Sequence, residues 1–334
     1  MRIHIIQTID PLLGQEETAR KLAFLKGNMM GEKRKKKATC VVVLFALIVV
    51  VFISISLLSQ NALSDVVRRD ADGSKQIPIL MYHSFTKEEN PEGKLPTVIS
   101  VKAFQNQLDA LSKEGYQTVT YEDLINYVYH NGSLPKKPVV ISIDDGYRNV
   151  LELAVPVLEE FNYKATIAVI GCSVGKEVYK DTEYPIIPHF SFAEAEKYVE
   201  KGVIELQSHS YDMHQVPSLD GPNCRQGVLK KEEESSEVYI QALTNDYIRS
   251  RNQILTGVKK TPEVFTYPKG LYDDQSERIL HFCGVKVTVT MDSGMNIIRK
   301  DFPESLYLLK RVEVTNGMTG AELLELLNNY SDRW

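Results

Sequence analysis

From Ile77 onward, short β-branched runs alternate with amphipathic helical patterns seven or eight times, and this alternation restricts the fold more than any other feature. Strands are read at Ile77–Tyr82, Gln117–Val119, Pro138–Ile143, Lys164–Ile170, Val203–Gln207, Val264–Thr266, Val285–Thr290 and Leu306–Leu309. Helical patterns fall at Val101–Gly115, Tyr121–His130, Val150–Phe161, Phe192–Lys201, Val238–Gly257, Ser276–Cys283 and Ala321–Asn329. Strands that are apolar on both faces and separated by crossover helices pair in parallel. This many repeats favours a closed (β/α) barrel of seven to eight strands over an open doubly-wound sheet. Leu219–Glu237, which carries Gly, Pro, Asn and the run KKEEESSE, interrupts the pattern as a solvated inserted loop.

Ahead of the barrel pattern, Ala38 to Ser64 contains no charged residue, and its apolar part runs from Ala38 to Leu58. At about 1.5 Å rise per residue this stretch spans a hydrocarbon core of roughly 30 Å. It has no polar face, unlike a core helix, and it is longer than a secretory h-region with no good cleavage site behind it. We therefore expect one transmembrane helix over 38–59. Lys33, Arg34, Lys35, Lys36 and Lys37 precede it directly, so the positive-inside rule keeps the 1–37 tail in the cytoplasm. A polar linker over 60–76 then leads to an extracytoplasmic domain over 77–334, which places the protein in a bacterial cell membrane as a single-pass anchor. Met29 and Met30, followed by Gly31-Glu32-Lys33, offer an alternative start.

Residues 1–59 hold nine Lys/Arg against four Asp/Glu, so with −5 overall the remainder carries −10. That balance excludes a nucleic-acid-binding surface, which needs a clustered basic face. Cys40 falls in the expected span, leaving Cys172, Cys224 and Cys283 with no short-spaced zinc pair and no disulfide framework. The external part, at about 260 residues, is long enough to be held by its own core.

Parallel barrels carry their chemistry at the C-terminal ends of the strands. Ile77–Tyr82 ends in His83; Pro138–Ile143 ends in Asp144-Asp145-Gly146; the strand at 203–207 ends in His209, with His214 five residues on; and Val264–Thr266 ends in Tyr267-Pro268-Lys269-Gly270. Singly, a DDG is a common turn and a strand-end histidine a common core residue. Together, two imidazoles and one carboxylate form a three-ligand set that leaves metal positions open for water and substrate, and a second carboxylate beside the first can take a proton from that water. Tyr147, His189, Asp292 and Asn296 are candidates for the site's rim.

These residues resemble the polysaccharide deacetylases of carbohydrate esterase family 4, the NodB-homology domain. SIDDGY (142–147) is similar to that family's T-F-D-D-G-Y, HSYDMH (209–214) to its metal motif and FTYPKG (265–270) to its third motif. LMYHS (80–84) resembles the start of a branch that includes poly-N-acetylglucosamine deacetylases. The resemblance implies a distorted, NodB-like barrel in which Asp145, His209 and His214 hold a divalent metal, zinc with cobalt or nickel as alternatives. It implies Asp144 as general base, the backbone N–H of Tyr267 as oxyanion donor and His83 as general acid. The family's terminal Leu-x-x-His motif has no counterpart in LYLLKRVEV (306–314), and no Arg precedes Tyr267. Arg311 is the candidate to orient the base instead. Lys269 replaces a frequent aromatic and Ile143 a frequent Phe.

The expected function is metal-dependent removal of N-acetyl groups from an N-acetylglucosamine-containing cell-surface polysaccharide, peptidoglycan or exopolysaccharide. A polysaccharide O-acetyl esterase and an inert carbohydrate-binding descendant are the alternatives. Retention of both aspartates with both metal histidines argues against the inert form.

Overall fold

In a computed structural model, the chain is described over residues 73–89 and 96–331, all within one compact unit, Asp72–Trp334. The expected tail (1–37), span (38–59) and nearly all of the linker (60–76) lie outside the described residues, among which no helix is long and apolar enough to cross a membrane.

Among the described residues twelve strands follow in order: β1 (Ser74–Ile77), β2 (Ile79–Tyr82), β3 (Ser84–Thr86), β4 (Val98–Ser100), β5 (Gln117–Thr118), β6 (Pro138–Ile143), β7 (Ala165–Val169), β8 (Ile204–Ser208), β9 (Val264–Thr266), β10 (Val287–Ser293), β11 (Asn296–Arg299) and β12 (Leu309–Glu313). Seven of them form a closed parallel ring in the spatial order β2-β12-β10-β9-β8-β7-β6, and β6 pairs back onto β2 with Ile79 opposite Val140. The closure excludes the open sheet. The barrel strands β2, β6 and β7 are buried along their whole length, as the continuous apolar runs require.

The ring is irregular at two seams. β5 pairs with Pro138 and Val139 at the start of β6, and β7 joins β6 only at Ser142 and Ile143. Between β8 and β9 the one backbone register pair is Ser208 opposite Phe265, and the Gln207 side-chain carbonyl accepts from Glu263 N and Val264 N, each at 3.0 Å. A glutamine side chain thus satisfies donors that a wider separation leaves without a ladder partner.

Helices cover the ring. Val101–Lys113 is capped by Ser100 and buries Phe104, Leu108 and Leu111, while Tyr121–Tyr129, Phe192–Glu200 and Asp274–Phe282 each begin with a reciprocal capping box. The longest helix among the described residues, Ser236–Val258, buries Tyr239, Leu243, Tyr247 and Ile254. The helix expected at Val150–Phe161 opens as a π-helical turn over Val150–Ala154 and becomes α-helical at Val155–Glu160. Pro156 has no N–H to donate to the carbonyl four residues back, so the turn before it widens.

Three expectations are corrected. The run Ile77–Tyr82 is split at Pro78, and its first part belongs to β1, which pairs antiparallel with β11 rather than with the barrel. The last barrel strand starts at Leu309, not Leu306, because Pro303–Leu306 makes a 3-10 turn and Leu308 has a positive φ of 54°. β10 runs on to Ser293, so in the DSGMN segment Asp292 and Ser293 end one strand, Gly294 and Met295 turn, and Asn296 opens β11.

Candidate active site

The C-terminal ends of β2, β6, β8 and β9 and the body of β12 converge on one mouth of the barrel. Asp144 follows β6, its N–H donating to Tyr82 O at 2.9 Å, and Asp145 turns into the left-handed region with φ 72°. Ser210 in the metal-motif loop (φ 67°) and Lys269 in the third motif (φ 58°) adopt the same conformation. Three sequence motifs therefore each leave their strand through a sparsely populated backbone geometry, the kind that persists where the surroundings enforce it. Gly146 follows Asp145 with φ 84°, and a Cβ there would meet Val169 Cγ1 at 3.0 Å.

Asp145, His209 and His214 come together, their ligand atoms all within 4.8 Å of one another. His209 Nε2 lies 3.6 Å and His214 Nε2 3.9 Å from Asp145 Oδ1, too far for hydrogen bonds. Asp145 Oδ1 is buried and has no hydrogen-bond partner. An acceptor left alone in this way between two imidazole nitrogens fits a cation, since burying it unpaired is costly. His209 Nδ1 lies 2.9 Å from the Thr266 carbonyl, which fixes that nitrogen as the donor and turns the Nε2 lone pair toward Asp145. Burial pushes the His209 imidazole down against the pull of Asp144 and Asp145, which favours the neutral, ligating form. The donor set of two nitrogens and one oxygen suits zinc, cobalt or nickel.

Beside this triad Asp144 is 2% exposed and accepts from Arg311 Nη1 with both oxygens, each at 2.8 Å. Arg311 Nε donates to Thr290 O at 2.7 Å, which fixes the guanidinium. Burial alone would raise the Asp144 carboxyl. The charge of Arg311, first among the lowering influences, and its hydrogen bond work against that and hold the pKa below its ordinary value. His83 Nε2 lies 3.9 Å from Asp144 Oδ2, and the His83 side chain is 23% exposed, at the mouth.

Tyr267 is not at the reaction centre. Its N–H donates to Val289 O at 2.9 Å as part of the β9–β10 ladder, and its ring is fully buried, stacked on Tyr272. The expected oxyanion donor is thereby corrected, because a ladder amide is already engaged. In the turn that follows, Gly270 N and Leu271 N donate to Tyr267 O and Pro268 O, and Pro268 has no N–H. Those bonds do not use the Lys269 amide. Asn296 also leaves the rim: its side chain bonds Ile77 O, Lys310 O and Lys310 N, bracing β11 against β1 and β12. Asp292 accepts from Tyr272 OH at 3.0 Å on the surface. Tyr147 does stand near the centre: burial, with the Asp145 charge beside it, pushes its phenol well above the ordinary range.

Sequence reasoning missed Asp246 on helix Ser236–Val258, whose carboxylate accepts from Tyr211 N at 2.6 Å and Asp212 N at 2.8 Å. It pins the loop between the two metal-motif histidines. A mid-helix aspartate reads as a solvated face, so its sequence position carries no signal of this role.

Residues 131–288 match the family model described as polysaccharide deacetylase. Over that stretch the chain is similar to the polysaccharide deacetylases. The matched stretch contains Asp144, Asp145, His209 and His214 but neither His83 nor Arg311, which come from the first and last strands of the ring. The chain is 25% identical over 246 residues to YxkH of Bacillus subtilis (strain 168), covering 74% of each protein. It is 23% identical over 194 residues to a poly-β-1,6-N-acetyl-D-glucosamine N-deacetylase of Staphylococcus aureus (strain MRSA252), covering 58% of this chain and 61% of that enzyme. Among solved structures, a de-N-acetylase from Aggregatibacter actinomycetemcomitans superposes with a TM-score of 0.64 at 21% identity, over 75% of this chain and 100% of that one. IcaB from Ammonifex degensii superposes with a TM-score of 0.59 at 22% identity, over 77% and 97%. These two likenesses establish a shared fold.

Proposed function

We propose that this chain is a polysaccharide deacetylase, a metal-dependent hydrolase that removes N-acetyl groups from an N-acetylglucosamine-containing cell-surface polysaccharide. The observation that carries the reading is the unpartnered Asp145 Oδ1 facing two imidazole nitrogens, with a charged, Arg-held Asp144 beside it. The relative named for poly-β-1,6-N-acetyl-D-glucosamine supports an exopolysaccharide as the substrate class.

Asp145, His209 and His214 would hold the cation, zinc or alternatively cobalt or nickel. When bound, it supplies Lewis-acid polarisation of the acetamide carbonyl and lowers the pKa of water. Asp144, kept ionised by Arg311, accepts the proton of the attacking water. Arg311 is itself held by Thr290 O, so the carboxylate meets the water in a fixed orientation. The Lys269 amide is the candidate hydrogen-bond donor to the developing oxyanion. His83, at the mouth and across from Asp144, gives a proton to the departing amine. The apolar, uncharged 38–58 run behind a basic cluster supports a membrane anchor that presents this domain outside the cell.

The test is acetate release by the full chain from β-linked N-acetylglucosamine oligomers and from purified peptidoglycan, with and without added zinc, beside Asp144→Asn. Zinc-dependent release that Asp144→Asn abolishes is the expected result. Release only from O-acetylated polymer would replace the amidase reading with an esterase.

A further inference from the structure

His83, the proton donor of the reading above, has no hydrogen-bonded support on its own ring. Its Nδ1 is buried without a partner, whereas the Nδ1 of His209 is fixed by the Thr266 carbonyl. Its Nε2 stands 3.9 Å from Asp144 Oδ2, beyond hydrogen-bond reach. The place of this imidazole is therefore set by the backbone that carries it.

That backbone changes sheet at His83. Tyr82 ends β2 in the barrel ring, Ser84 begins β3, which pairs with β4 in a separate two-stranded sheet, and His83 lies between them in neither strand. Upstream, Tyr82 O accepts Asp144 N at 2.9 Å and the Tyr82 hydroxyl donates to Gln107 at 3.2 Å. Downstream, two bonds come from a single side chain. Asn149 Oδ1 accepts Phe85 N at 3.2 Å, and Asn149 Nδ2 donates to Ser84 Oγ at 2.9 Å. The Phe85 amide can only donate, so it fixes which end of the Asn149 amide faces it and leaves the NH₂ for Ser84.

Asn149 departs from what its sequence position favours. It directly precedes the π-helical turn Val150–Ala154, where an asparagine ordinarily caps the helix with its side chain. Here its own backbone is already helical (φ −60°, ψ −18°) and the side chain makes no capping bond. The amide is turned to β3 instead, and the turn behind it is of the wide kind found often at functional sites. Asn149 also stands only five residues after Asp144 and four after Asp145. One short segment thus carries the proposed base, a proposed metal ligand and the clamp on the residues that follow His83.

We propose that Asn149 is a positioning residue for His83: by holding Ser84 and Phe85 it sets where the imidazole meets the departing amine and keeps it in register with Asp144. This role rests on the deacetylase reading above, with His83 as its acid. As the C–N bond breaks, the nitrogen takes a proton from His83 and the acetyl carbon keeps the oxygen of the attacking water. A 4-nitrophenyl ester differs at that step, because its phenolate leaves as the anion without a proton.

The experiment uses the zinc-loaded full chain with a β-1,6-linked N-acetylglucosamine pentamer and with 4-nitrophenyl acetate. Asn149→Ala is expected to lower the pentamer-to-ester ratio of kcat/KM by about tenfold to a hundredfold, the scale of a misplaced reacting group. In a His83→Ala background the same substitution is expected to leave the ratio where His83→Ala alone puts it, since residues acting through one group are not additive. Ser84→Ala, which removes one of the two bonds, is expected to lower the ratio less, and it carries the comparison if Asn149→Ala does not fold. The His83 imidazole resonances, assigned by their loss in His83→Ala, are expected to shift in either variant. A wild-type ratio in both variants, an equal fall in the His83→Ala background, or a His83→Ala protein that keeps the wild-type ratio overturns the role. A wild type that hydrolyses the ester but not the pentamer removes the deacetylase reading instead. The resonances then decide by themselves whether Asn149 places His83, and unshifted resonances in both variants show that it does not.

Discussion

Arg311 Nη1 stands 2.8 Å from both carboxylate oxygens of Asp144, although 167 positions separate the two residues. The contact exists because the ring closes: β12, which carries Arg311, pairs with β2, and β2 pairs with β6, at whose end Asp144 stands. His83 reaches the same carboxylate from the end of β2. Barrel closure therefore builds the environment of the proposed base from the first and last strands of the ring.

That pair is buried on both sides, with the Arg311 side chain 0% and Asp144 2% exposed. Removing the cation alone leaves a carboxylate unpaired in the interior, so Arg311→Met should destabilise the domain by about 3–5 kcal/mol. Asp144→Asn combined with Arg311→Met should recover part of that loss while acetate release stays absent. Urea denaturation of the two single variants and the double variant measures the coupling. Strictly additive losses would show that the two side chains do not depend on each other.

Asp246 makes a different claim, on the geometry of the metal-motif loop. Its carboxylate holds Tyr211 N and Asp212 N, midway between His209 and His214. Asp246→Ala should weaken zinc binding by roughly 10–100-fold, as loss of an outer-sphere support does elsewhere. Isothermal titration with zinc checks it, and wild-type affinity in that variant would show that the loop holds its shape without Asp246.

The strand pattern was readable because parallel barrel strands are apolar throughout, and Pro138–Ile143 and Val264–Thr266 match residue for residue. The three residues of the triad could be collected from the same strand ends, since Asp145 stands two residues past β6, His209 directly follows β8 and His214 lies five residues on. Arg311 could be proposed only as a charge near the last strand; its partner is fixed by closure, which no local pattern encodes. Tyr267 misled because its motif position does not reveal that its amide is already in the β9–β10 ladder. β1 and β11 were missed because a four-residue pair joined across 219 positions has no periodicity of its own.

If Asp145, His209 and His214 hold zinc, the folded state gains stability by mass action. Zinc at 100 times its dissociation constant should add about 2.7 kcal/mol, and a chelator should remove it. Thermal unfolding with zinc and with chelator measures the difference. His209→Ala should show no zinc-dependent shift, whereas a shift equal to that of the wild type would place the cation elsewhere.

Glu205 on β8 sits at the opposite end of the barrel and sets a pH dependence unrelated to catalysis. Its Oε2 accepts Tyr121 N at 3.1 Å and the Thr166 hydroxyl at 2.7 Å, and Oε1 accepts from the Gln207 amide. Burial pushes its carboxyl up to about 7, more than the Thr166 and Gln207 hydrogen bonds pull it down. A folded-state pKa above the unfolded value of about 4.3 means the neutral acid is the form that folding prefers. Its contribution is then complete below about pH 4.3 and is lost as pH rises through about 7. The unfolding free energy of the wild type relative to Glu205→Leu, both in chelator, should therefore be larger at pH 5.5 than at pH 8. A difference that stays level between those two pH values would show that Glu205 is already ionised at pH 5.5 in the folded barrel.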